Sequence, residues 1–131
     1  MIIKFRTALL FLGATLISSC QSTSVEGTYK FVSRNKEPYS LILNNGVYTI
    51  CDKSCSVGRY YIMKVKEQYG ADRILFFGDG FISFYKYVHR KYNDDIPAKY
   101  VEQYVESDIE YGIGCPCIDV FPKIDAFFQK I

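Results

Sequence analysis

The sequence predicts an α+β protein: an antiparallel β-meander of about six strands, forming a curled sheet or small barrel, followed by one or two C-terminal helices. Three observations carry this. From Gly27 to His89, β-branched and aromatic residues are dense between Gly, Asn and Asp punctuation, the texture of short strands and turns. Within that stretch, Asn44-Asn45-Gly46 supplies the positive φ angles of a tight hairpin. Beyond His89 the apolar residues shift to helical spacing.

Strands are expected near residues 27–33, 39–44, 47–51, 57–66, 73–78 and 81–89. Asp52-Lys53-Ser54 and Gly78-Asp79-Gly80 mark further reversals, and successive short connections imply antiparallel pairing, since parallel strands need long crossovers. Gly27-Thr28-Tyr29, Gly46-Val47-Tyr48 and Gly58-Arg59-Tyr60 each set Gly two positions before Tyr, which reads as repeated hairpin chemistry rather than a ligand motif. Asp94-Asp95-Ile96-Pro97 resembles a helix entrance. Ile96, Tyr100, Val101, Tyr104, Val105 and Ile109 then fall on one helical face, Glu102, Glu106 and Glu110 on another, and Gly112 and Gly114 stop the run. A last short helix is expected after Pro122, docking Ile124, Phe127, Phe128 and Ile131 on the sheet.

Residues 1–19 have the order of a secretion signal: Lys4 and Arg6, an apolar run from Ala8 to Ile17, then Ser18 and Ser19 ahead of Cys20. The run is too short to span a bilayer, which takes about 20 apolar residues. Ile17-Ser18-Ser19-Cys20 resembles the lipobox of bacterial lipoproteins, with Ile where that family favours Leu and Ser where it favours Ala or Gly. The resemblance covers only the leader. It implies cleavage before Cys20, a diacylglyceryl group on its thiol and an acylated new amine, which together anchor a domain stably. It also implies a cell-envelope address, and Gln21 after the cysteine favours the outer membrane, facing the periplasm, in a Gram-negative source. Residues 20–26 then form a lipidated tether and 27–131 a single globular domain.

The chain has 16 basic and 14 acidic residues, and Lys4 and Arg6 leave with the leader, so the mature domain is neutral. A nucleic-acid partner, which calls for a basic excess, is not expected.

Cys51, Cys55, Cys115 and Cys117 are an even set bound for an oxidising compartment, and are read as disulfide candidates. An i, i+2 bridge within Cys115-Pro116-Cys117 is geometrically awkward. A bridge from the Cys51/Cys55 turn to the Cys115/Cys117 segment is therefore preferred, with a local Cys51–Cys55 bond as its main rival. The spacings lack the two Cys-x-x-Cys knuckles of a four-thiolate zinc site, so no metal or cofactor is expected. A redox-active Cys115-Pro116-Cys117 lacks a cationic neighbour to lower a thiol pKa. His89, the single histidine, is read as solvated surface, and no nucleophile motif, phosphate loop or ligand cluster nominates a catalytic residue.

The functional expectation is a non-enzymatic module that binds a protein of the envelope, as an inhibitor, immunity protein or accessory subunit. Its motivation is the lack of any catalytic constellation joined to a stapled, aromatic-rich scaffold beside the lipid, with 12 Tyr and no Trp in the chain, since surplus Tyr on a surface offers apolar area and a hydroxyl together. The alternatives are a lipocalin-like carrier of a small apolar ligand and a thiol-disulfide protein using Cys115 and Cys117.

Overall fold

The computed structural model describes residues 24–64, 72–93, 103–111 and 116–131. The leader, the lipobox with Cys20, the helix entrance at 94–97 and Cys115 lie outside the described residues. Eight strands run up and down in sequence order: β1 Gly27–Val32, β2 Ser40–Asn44, β3 Val47–Cys51, β4 Cys55–Met63, β5 Arg73–Phe77, β6 Tyr104–Glu110, β7 Cys117–Phe121 and β8 Ala126–Lys130. Each pairs antiparallel with the next, and β8 returns to β1 through Phe31 opposite Phe128, so the sheet closes into a barrel. A helix, α1 Asp79–Lys91, stands between β5 and β6, and a 3₁₀ turn over Pro122–Ile124 joins β7 to β8. The architecture is thus the small α+β barrel expected, with eight strands rather than about six.

Four of the first five strands fall where alternation and turn residues place them, whereas β4 starts at Cys55 and ends at Met63 rather than running over 57–66. Asn45 at φ 58° and Gly46 at φ 82° make the tight β2–β3 turn, and Asp52–Ser54 reverses β3 into β4. Closure needs no second layer, because each strand sends alternate side chains inward and the inward set is large and apolar. Tyr29, Phe31, Leu41, Leu43, Tyr48, Ile50, Tyr60, Ile74, Phe76, Val105, Ile109, Ile118 and Phe128 are buried together.

Three expectations are corrected. Residues 81–89 form α1, not a strand. Their buried positions, Phe81, Ile82, Phe84, Tyr85, Val88 and His89, follow the i, i+3, i+4, i+7 stripe of an amphipathic helix, and Gly78 at φ 110° makes the corner after β5. Asp79 in the first turn and His89, Arg90 and Lys91 in the last suit the helix dipole. Conversely, 104–110 form strand β6, not a helix: Val105, Ser107 and Ile109 point inward while Tyr104, Glu106, Asp108 and Glu110 point outward. The expected last helix is only the 3₁₀ turn, after which Ala126 and Phe128 enter the core from β8.

The two mouths of the barrel differ. At one, α1 lies across the opening and drops rings into it: Phe81 stacks on Phe76 at 3.8 Å with planes 2° apart, and Phe84 meets Phe31, Phe121 and Phe128 at 5.3–5.6 Å. Filling both the lumen and this mouth with rings buries the apolar area a domain this small needs. The other mouth receives the chain's entry to β1, where the Tyr29 hydroxyl donates to the Val25 carbonyl at 2.6 Å, the Asn45 amide to the Glu26 carboxylate at 2.8 Å, and Lys130 Nζ to the Ser24 carbonyl at 3.0 Å. Ser24 to Glu26, assigned to the tether from sequence, are therefore bonded to the barrel. Among the described residues no helix is long and apolar enough to cross a membrane.

Candidate functional site

A cleft of about 620 Å³ opens at the mouth that α1 covers. Three elements wall it: the β1–β2 loop through Asn35 to Tyr39, the β3–β4 turn through Asp52 to Ser54, and α1 through Gly80, Ser83, Tyr87 and Lys91. Its floor is aromatic. Tyr39 packs edge-on against Phe84 at 4.7 Å and approaches Tyr87 at 6.4 Å. Lys36, Lys53 and Lys91 share its lining with Asp52 and several hydroxyls. A largely apolar floor with a few convergent polar groups is the usual composition of a recognition cleft.

Each wall is stiffened separately. In the first, the buried Glu37 carboxylate accepts hydrogen bonds from the Ser33 hydroxyl and from the Tyr92 hydroxyl at 3.0 Å, and pairs with Lys91 Nζ at 3.0 Å. Burial alone would raise the Glu37 pKa, but the bonds from Ser33, Lys91 and Tyr92 outweigh it and hold the carboxyl below its ordinary value. It is therefore an anchored anion that ties the β1–β2 loop to the end of α1, and not a proton donor at neutral pH. In the second wall a disulfide joins Cys51 to Cys55, residues directly opposite across β3 and β4. The Asp52 carboxylate accepts from the Ser54 amide at 3.1 Å, and backbone bonds of this kind hold its pKa below the ordinary value. In the third wall, the Tyr48 hydroxyl donates to the Phe77 carbonyl at 2.8 Å and accepts from the Phe81 amide at 3.2 Å, pinning the start of α1. Burial, first, and then Asp52, Tyr87 and Glu37 raise the Tyr39 pKa, so that phenol stays neutral.

The local Cys51–Cys55 bond overturns the preferred bridge to the Cys115/Cys117 segment. The reason is register: hairpin pairing alone brings the two sulfurs together. Cys117 begins β7 on the far side of the barrel, half-buried. His89 is buried rather than solvated, its ring 4.4 Å from Tyr85 and 5.1 Å from Phe121. Sequence reasoning missed the cleft, although Glu37, Tyr39 and Lys91 are its central residues. The contact between a β1–β2 loop and the last turn of α1 cannot be anticipated while α1 is read as a strand. Among the described residues no three His, Cys, Asp or Glu side chains converge as a metal site requires.

The fold and cleft together define a closed eight-stranded antiparallel barrel with a helical cap and an aromatic cleft beside it. No protein family, curated protein or solved structure matches the chain.

Proposed function

We propose that the chain is an envelope lipoprotein, anchored through Cys20, whose barrel is a non-enzymatic module gripping a protein partner in the cleft beside α1. The observation that carries this is polarity: the chain enters β1 at one mouth and the cleft lies at the other. An anchor on Cys20 would hold the entry mouth at the membrane and turn the cleft towards the envelope space. The cleft's composition also favours a protein. Tyr39 and Tyr87 offer ring surface over the buried Phe84, and Lys36, Lys53 and Asp52 offer polar contacts around it, the pattern of an interface core and rim. An inhibitor, an immunity protein and an accessory subunit all fit this reading.

The filled interior speaks against the carrier alternative. Tyr29, Tyr48, Phe76, Phe81 and Phe128 are fully buried where an apolar ligand would sit.

Site-specific photo-cross-linking in the intact envelope tests the proposal. A photoreactive side chain at Tyr87 should give a discrete cross-linked protein species, and the same group at Lys30, outside the barrel wall, should not. No adduct at Tyr87, or equal adducts at both positions, would refute the cleft as the grip. Native mass spectrometry of the extracted protein showing a retained small ligand would favour the carrier instead.

A further inference from the structure

The entry mouth has a surface of its own. Large apolar side chains gather at its edge: Met63 at the end of β4 is 48% exposed, Tyr111 after β6 is 41% exposed and Ile131 after β8 is 78% exposed. These positions lie on both sides of the barrel, with β8 next to β1 and β4–β6 opposite, so they ring the mouth rather than form one side patch. Two lysines share the ring. Lys64 is 3.2 Å from Asp72, which also accepts from the Tyr111 hydroxyl at 3.2 Å, and Lys130 Nζ holds the Ser24 carbonyl at 3.0 Å.

We infer that this mouth is a lipid-contact surface, on which the barrel rests upright against the bilayer. The inference rests on the anchored reading of Cys20 and adds to it an orientation and a set of contact residues. Its occupant is fixed by chain length. Only Gln21, Ser22 and Thr23 separate Cys20 from Ser24, which is already bonded to the barrel, so the Cys20 backbone stands at most about 14 Å from that of Ser24. A tether that short keeps the rim within reach of the headgroups around the anchor. Tyr111, with an apolar ring and a polar tip, suits the depth of the headgroups, and Met63 and Ile131 the acyl boundary beneath.

Tyr111 and Tyr87 make the test internal. They are the same residue type, 41% and 43% exposed, at opposite ends of the barrel. The full processed protein is placed in lipid nanodiscs containing phosphatidylglycerol and labelled with hydroxyl radicals, and its intact mass is read for acylation at Cys20. With Cys20 acylated, Tyr111 and Met63 should label several-fold more slowly than Tyr87. Equal rates on acylated protein would overturn the lipid-contact surface while leaving the anchor standing. An unmodified Cys20 would overturn both. A Met63→Glu, Ile131→Glu variant, altered only at exposed positions, should bring the Tyr111 rate up to that of Tyr87 with acylation intact; continued protection would mean that the rim does not make the contact.

Discussion

Lys91 Nζ lies 3.0 Å from the Glu37 carboxylate, and this pair joins the last turn of α1 to the β1–β2 loop, two of the three walls of the cleft. The Glu37 side chain is buried, and Ser33 and Tyr92 also donate to it. Because the folded-state pKa is depressed, the contribution to stability is fully present above the ordinary glutamate value of about 4.5 and is lost as pH falls through the lower folded value. Glu37→Gln should cost about 1.5–3 kcal/mol at pH 7, the range for hydrogen bonds to a charged group. Urea unfolding from pH 7 to pH 3 should show the wild-type and variant curves converging in acid. Curves that stay parallel would mean the carboxylate is not the source.

Asp119 works in the opposite sense. It stands directly across from Asp108 in the β6–β7 ladder. Its pKa is raised by burial first, and then by Glu110, Asp108 and Asp125. Arg73 is 3.2 Å from Glu106 and 3.5 Å from Asp108, so it serves the β6 side of this acidic stripe. A raised carboxyl pKa means that the folded state holds the proton more tightly than the unfolded chain, so this site costs stability at neutral pH and the cost disappears as pH falls. Asp119→Asn should stabilise the barrel by about 0.2–1 kcal/mol at pH 7, the size of a cross-strand pair effect, with the gain shrinking in acid. A thermal midpoint at pH 7 equal to or below wild type would contradict it.

The parts of the fold legible in the sequence were those set by local geometry. β1 to β3 and β5 follow from alternation between turn residues, and Asn45-Gly46 adopts the turn its chemistry favours. α1 and β6 were misread in opposite directions for one reason. Phe81, Ile82, Phe84 and Tyr85 have strand-forming side chains but a helical stripe of burial, whereas Tyr104 to Glu110 have helix-compatible spacing but an inside-outside alternation that closure of the barrel exploits. In both cases tertiary burial decided, and the alternation in β6 was the readable signal. The cleft was illegible because its walls come from three separate connections, brought together only when α1 crosses the mouth.

The Cys51–Cys55 bond closes a short loop, with a sequence separation of 4. In the chain-entropy view a loop of that size contributes about 2 kcal/mol, against about 4 for a sixty-residue loop. Cys51→Ser together with Cys55→Ser should therefore lower stability by the smaller amount. Trypsin gives a direct check, because Lys53 lies inside the loop. Without reductant, the peptide from Glu37 to Lys53 should travel joined to that from Ser54 to Arg59, separate from the peptide carrying Cys115 and Cys117. A species linking either hairpin peptide to that third one would show the long bridge instead.

Gly58 is required by the ring of Tyr48. A Cβ at position 58 would collide with the Cζ, Oη and Cε2 atoms of Tyr48, a residue with no exposed surface. Relief would have to move the ring, and the ring carries the hydroxyl that bonds the Phe77 carbonyl and the Phe81 amide at the corner where β5 becomes α1. Gly58→Ala should cost about 1–3 kcal/mol, the range for an overpacked core. Its cost should depend on Tyr48: in a Tyr48→Ala background, itself destabilised by roughly 3–5 kcal/mol, the added methyl group finds space and should cost little more. Additive losses would show that strain elsewhere on β4 is responsible. Because the same corner sets the position of Gly80, Ser83 and Tyr87 on the cleft wall, Gly58→Ala should also weaken photo-cross-linking from Tyr87, whereas Asp119→Asn on the opposite flank should leave it unchanged.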